Sequence, residues 1–293
     1  MWQAEAAERA LRAVWNDVTC AFELVTSSGD VDLTSPLTRF GRVGIFTVEV
    51  DRVVIEERAD VAVHSCKDMT TELGGGTMLS ATLGRGPVED VLVTAGGRAS
   101  GPRFDELPRG ARVGTSSARR RAMLAAARPD LVPVEIRGNV RTRLDKLVRG
   151  EADALVMAHA GLARLGLLEH VSDVLDTERF LPSAGQGIVA LVVKSGNWPV
   201  HERVAAARDM ESWHEALAER AVLRELRGGC SAPVGVRARV VENSLFLKAR
   251  VLSMDGARAL AGEIAGSRDD AESLGTALGR ELVGRGAREL MTP

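Results

Sequence analysis

Two stretches of the sequence gather arginines where a strand gives way to a helix. In VGTSSARRRAM, from Val113 to Met123, an apolar strand end runs into a Ser-rich turn. Arg119, Arg120 and Arg121 then fall in the first turn of the next helix. Ser116 or Ser117 is a natural N-cap. The positive end of a helix dipole disfavours cations there by roughly 0.3–1 kcal/mol each, so three guanidiniums need a compensating reason. In IRGNVRTR, Arg137 closes a second strand, and Arg141 and Arg143 open a second helix. Successive strands thus deliver arginine to one edge of a sheet. Helix N-termini bind anions, and guanidinium grips carboxylate through two parallel hydrogen bonds. The pattern fits a site for several carboxylates or phosphates, with a solvated basic face as the plainer alternative.

Two further motifs carry chemistry. In ADVAVHSCKDMT an apolar strand empties into His64, Ser65, Lys67 and Asp68. Polar residues at the carboxyl end of a strand are well placed for a site. Lys67 offers a cation for ligand carboxylates, and Asp68 a base or a counter-charge for a developing cation; a simple surface pair is the alternative. His64 reads as a hydrogen-bonded structural residue. In RGGCSAPVG, Cys230 lies in a loop with Gly228, Gly229 and Pro233. Glycine allows close approach of another group, and a loop thiol is open to covalent chemistry as a core thiol is not. An unreactive small residue is the competing reading. Cys66 and Cys20 read as packing residues.

Composition narrows the function classes. The 293 residues carry a formal net charge of −2, with 3% aromatics and no Tyr. Bulk charge does not advertise nucleic acid, and stacking platforms for bases need aromatic faces. The three cysteines lie far apart with no metal spacing, which predicts reduced thiols in the cytoplasm and no metal. No apolar run approaches the roughly 20 residues of a membrane span, and no signal-peptide core opens the chain.

These motifs need elements to hold them. Strands are predicted at Phe22–Val25, Val61–Val63, Met78–Ala81, Val91–Val93, Arg112–Gly114, Val132–Ile136, Ala154–Met157 and Ile188–Val193. Helices are predicted at Phe46–Glu57, Ser117–Ala127, Val140–Arg149 and His159–Leu165. The alternation argues for α/β architecture with mostly parallel sheets. The tail reads instead as an antiparallel meander with turns at Glu242–Asn243 and Asp255–Gly256, followed by a helix at Ala271–Arg285. The expected division is one α/β domain from 1–86 with 188–207, a second from 87–187, and an α+β domain from 208–293.

The blocks ADVAVHSCKDM, VGTSSARRR, IRGNVRTRLDKL, AHAGLARLGL, LPSAGQGIVAL and LRGGCSAPVG, in this order and spacing, resemble the porphobilinogen deaminase (hydroxymethylbilane synthase) family. The resemblance runs from about Trp2 to Met291. It implies two α/β domains of the type II periplasmic-binding-protein kind and a small α+β C-terminal domain. It implies head-to-tail joining of four porphobilinogen molecules with release of ammonia, on a dipyrromethane cofactor held by a cysteine thioether. By position that cysteine is Cys230, and the catalytic aspartate, which would stabilise a cationic azafulvene, is Asp68. Lys67, Thr115, Ser117, Arg119, Arg120, Arg137 and Arg143 match the residues that bind the cofactor's acid arms. Arg39, Phe46, Arg164 and Gln186 match residues of the substrate cleft. A cytoplasmic monomer is implied, whose partners are porphobilinogen and its oligomers.

The sequence also departs from the family pattern. The chain opens at MWQA, inside a helix, where the family has a preceding strand and loop. Thr70 replaces a proline, Val43 in FGRVGIF stands where a lysine is usual with Arg42 beside it, and GRGPVEDV replaces the usual hinge. Arg141 adds a charge. These differences favour, as the competing expectation, a non-catalytic relative that binds a polycarboxylate or pyrrole.

Overall fold

The structure is a computed structural model that describes residues 1–25, 47–229 and 232–292. In chain order the strands are β1 (Ala62–Ser65), β2 (Thr77–Thr82), β3 (Asp90–Val93), β4 (Arg112–Gly114), β5 (Val132–Val134), β6 (Ala154–Ala158), β7 (Val171–Val174), β8 (Val189–Lys194), β9 (Val234–Val241), β10 (Ser244–Leu252) and β11 (Ala259–Ser267). The longer helices are α1 (Trp2–Val14), α2 (Val48–Ile55), α3 (Ala118–Ala127), α4 (Val140–Val148), α5 (His159–Leu165), α6 (Trp198–Ala205), α7 (Met210–Leu226) and α8 (Ala271–Gly284).

Among the described residues the strands form three sheets, ordered β1-β8-β2, β5-β4-β6-β3-β7 and β11-β10-β9. The first is antiparallel and the second mixed, where mostly parallel sheets were expected. Only β4 with β5 and β4 with β6 run parallel. Strand β8 returns from the second sheet and so meets both β1 and β2 antiparallel. Strand β3 enters the second sheet from the first and pairs antiparallel with β6 and β7. The run IVALVV is apolar without a break because β8 is central and covered on both faces. Ile188, Ala190 and Val192 enter one core, and Val189, Leu191 and Val193 the other. The predicted strand at Phe22–Val25 is not formed; these residues join no sheet, and Leu24 is 77% exposed. Short apolar runs of this length become strands only beside a partner.

The C-terminal unit follows the predicted meander. Leu245, Leu247, Ala249 and Val251 of β10 point inward at period two, against α7 and α8. Gly275 lets the two helices touch, since a Cβ there would stand 2.2 Å from the Ala218 carbonyl oxygen. The connections between the first two sheets run side by side: Gly86 N–H donates to Gly187 O and Leu83 N–H to Val189 O.

Candidate functional site

Strand β1 ends in a single tight helical turn, Cys66–Asp68. Cys66 is buried, its N–H donates to Ile188 O at 3.0 Å, and Gly185 packs against it at positive φ. A Cβ on Gly185 would lie 2.7 Å from Cys66 Sγ, so the returning connection presses directly on this turn. Burial pushes the Cys66 thiol up, which makes it inert packing, as expected. Cys20 is half-buried. Lys67 and Asp68 are half-buried. Burial pushes Lys67 below its usual range; Asp68 opposes the shift and Arg120 adds to it.

The arginines divide into two groups. Ser117 caps α3, its Oγ accepting from the Arg120 N–H. Arg119 and Arg120 are 4% and 5% exposed and both reach Asp90 on β3, each with a 2.8 Å contact. Arg119 also donates to Leu181 O, and Arg120 to Val156 O. Burial raises Asp90, but the two guanidiniums outweigh it and hold the carboxyl well below the usual range. The cations in the first turn are therefore compensated by the protein's own carboxylate, where the sequence suggested a bound anion. Gln186 belongs to the same assembly. Its Nε2 donates to Val88 O at 2.7 Å and to Asp90 at 3.0 Å, while its buried Oε1 has no hydrogen-bond partner.

The second group faces Asp68. Arg143, in the first turn of α4, donates to Gly138 O at 2.7 Å. Burial first, then the charge of Arg120, brings its guanidinium down to about 10; Asp68 opposes and Arg137 adds to the fall. Arg137 is 7% exposed. Arg164 on α5 donates to Gly187 O and stacks on the Trp2 ring, 5.1 Å from its centroid. Burial lowers Arg164, with Asp68 again opposing. Asp68 thus acts electrostatically on Lys67, Arg143 and Arg164, which come from the turn after β1, from α4 and from α5. Thr115 Oγ1 accepts from the Ser117 N–H at 3.2 Å. Arg39, Phe46 and Cys230 lie outside the described residues, as do Arg42 and Val43. Among the described residues no three His, Cys, Asp or Glu side chains gather as a metal would require.

A third cluster escaped the sequence reading. Arg85, in the first connection, bonds Glu215 and Glu219 of α7 at 2.9 and 2.8 Å. Glu219 also accepts from the N–H groups of Gly185 and Ala238, and Glu215 from that of Val240. A usable signal was there: Asp209 as N-cap, and carboxylates spaced i,i+4 on a face shared with Ala218 and Val222. Asp90 escaped because it reads as a strand end, and its partners are distant in sequence.

Residues 1–202 match the family model for porphobilinogen deaminase, dipyrromethane cofactor binding domain, and residues 213–284 match that for porphobilinogen deaminase, C-terminal domain. The chain belongs to the porphobilinogen deaminase family. It is also loosely similar to solved structures of other proteins. YhfZ from Shigella flexneri shares 18% identity over 79% of this chain and 94% of that chain, with a TM-score of 0.38. A periplasmic binding protein of Salmonella typhimurium with high arginine specificity shares 13% over 72% and 82%, with a TM-score of 0.39. The periplasmic VFT2 domain of Bordetella pertussis BvgS shares 16% over 70% and 75%, with a TM-score of 0.38. Likeness this loose carries no argument about function. Within the porphobilinogen deaminase family, a dipyrromethane brings several carboxylate arms, and the residues around Asp68 suit them. Among the described residues that act on one another there, Lys67, Arg120, Arg137, Arg143 and Arg164 meet the carboxylates of Asp68 and Asp90.

Proposed function

We propose that the protein is a hydroxymethylbilane synthase, joining four porphobilinogen molecules head to tail in tetrapyrrole synthesis. What supports this is the family match over nearly the whole chain together with Asp68 set among cations from three elements. In each cycle the aminomethyl C–N bond of porphobilinogen breaks and ammonia leaves with the electron pair. A C–C bond then forms to the free α-carbon of an acceptor pyrrole, which sheds its proton. Asp68 is the catalytic residue: its carboxylate accepts pyrrole N–H bonds and balances the positive charge left on the departing carbon. Lys67, Arg137, Arg143 and Arg164 bind acetate and propionate arms. Two guanidiniums against one carboxylate leave the Arg119–Arg120–Asp90 wall net positive, and Thr115 and Ser117 carry O–H groups that an acid arm can accept from.

A dipyrromethane joined to Cys230 through a thioether would supply the first acceptor pyrrole. The domain division expected from the sequence, a cytoplasmic location and a monomeric state are part of the same proposal. Among the described residues no helix is long and apolar enough to cross a membrane. Intact-mass measurement after incubation with porphobilinogen tests the reading. It should show an adduct of two pyrrole units that peptide mapping assigns to Cys230, with ammonia and a linear tetrapyrrole released. Porphobilinogen bound without adduct or ammonia would make the protein a non-catalytic binder.

A further inference from the structure

Directly after Asp68 the chain is tied to the C-terminal unit. Arg220 of α7 donates through Nη2 to the carbonyls of Thr70 at 2.8 Å and Thr71 at 2.9 Å. Thr71 Oγ1 donates to the Gly228 carbonyl at 2.8 Å. Gly228 follows the left-handed Arg227 that ends α7 and precedes Cys230 by two residues. The adjacent residue, Glu219, holds the connection between the first two sheets through Gly185.

A body fixed at one point can still swing about it. The Arg85–Glu219 contact fixes the C-terminal unit to the connections, and the Arg220–Thr71–Gly228 ties fix its rotation relative to the turn bearing Asp68. We infer that Arg220 and Thr71 are positioning residues that set the separation between Asp68 and the end of α7 at Gly228, two residues before Cys230 in the sequence. The inference rests on the proposed function. The condensation needs a carboxylate and a sulfur-tethered acceptor at one spacing, and a loss of about 1 Å in placement can slow such chemistry by two orders of magnitude. Neither residue is assigned contact with substrate, so each acts through the elements it holds.

The test uses the full-length chain with Thr71→Val, Thr71→Ser, Arg220→Met and Arg220→Lys. Thr71→Val keeps the shape and removes the O–H; it should lower kcat about fivefold with KM unchanged. Thr71→Ser should restore kcat, and Arg220→Lys should restore part of what Arg220→Met loses. Intact mass during turnover should show enzyme-bound oligomers accumulating at shorter lengths in the Val and Met variants. Hydrogen exchange of residues 69–73 should quicken while the rest of the chain is unchanged. If Thr71→Val proves unfolded, the Ser variant decides: reduced kcat despite its retained O–H overturns the inference. Wild-type kcat and an unchanged oligomer ladder in both Thr71→Val and Arg220→Met overturn it as well. A wild-type protein that releases no ammonia from porphobilinogen removes the proposed function first, and the positioning roles with it.

Discussion

The Arg85 cluster is buried and the Asp68 cluster half-buried; both are charged, and they are built on opposite principles. At Arg85 one guanidinium meets two carboxylates, which also accept from three backbone N–H groups. Burial lowers Arg85, yet Glu219 and Glu215 outweigh it and raise the guanidinium above its ordinary value. At Asp68 one carboxylate faces Lys67, Arg143 and Arg164, and burial pulls all three cations down. The first cluster pairs its cation with two carboxylates of the chain. In the second, on the proposed function, the acid arms of the bound pyrrole chain add the negative charge. Local charge balance, more than burial or residue type, separates a structural joint from a binding site.

The sharpest way to break this contrast is at Asp68. Asp68→Asn should reduce ammonia release from porphobilinogen at least about a hundredfold and leave the thermal midpoint alone. Near-normal output would remove the catalytic role. Glu219→Gln should do the reverse, costing about 3–5 kcal/mol in denaturant unfolding because it strips a buried guanidinium of a partner. A fully stable variant would show that the joint is not closed as described. Arg143→Leu should weaken a polycarboxylate probe such as mellitate about tenfold without loss of stability, since its guanidinium is held at a burial penalty in the unliganded protein. Equal affinity would take Arg143 out of the site.

Titration sharpens the same distinction. Cations bind carboxylates only while protonated, so mellitate affinity should hold at neutral pH and fall as pH rises through about 10, where Arg143 loses its proton. The lowered Lys67 should contribute to the same loss. Isothermal titration at several pH values reads the effect, and a flat profile to pH 11 would contradict it. Asp90 acts on the other side. Its folded carboxyl is held below 3.8, so the stability it contributes is present above that value and lost as pH falls below it. The smallest effect belongs to the exposed Arg149–Glu151 pair. Glu151→Gln should leave both stability and mellitate binding within experimental scatter.

Much of this was legible in the sequence, for physical reasons that can be named. Seven of the eight strand segments predicted before the meander form because each apolar run has a partner strand; Phe22–Val25 has none among the described residues. The Ser117 cap and the strand-end placement of Lys67 and Asp68 follow from local rules that need no tertiary knowledge. Strand direction was illegible, because β8 and β3 run as they do only through crossings between two sheets. Asp90 was illegible as well: nothing near it in sequence indicates that Arg119 and Arg120 will converge on it. A strand-to-helix arginine run marks a demand for negative charge but does not say whether a ligand or the chain supplies it.

The β1-β8-β2 order has a bearing on synthesis. Among the described residues, the two strands flanking β8 leave the ribosome early, but β8 itself follows only after residues 83–188 have been made. At ordinary elongation rates the nascent chain carries two unpaired, apolar half-ribbons for on the order of ten seconds. During that interval chaperone occupancy should peak, and it should fall once Lys194 clears the exit tunnel.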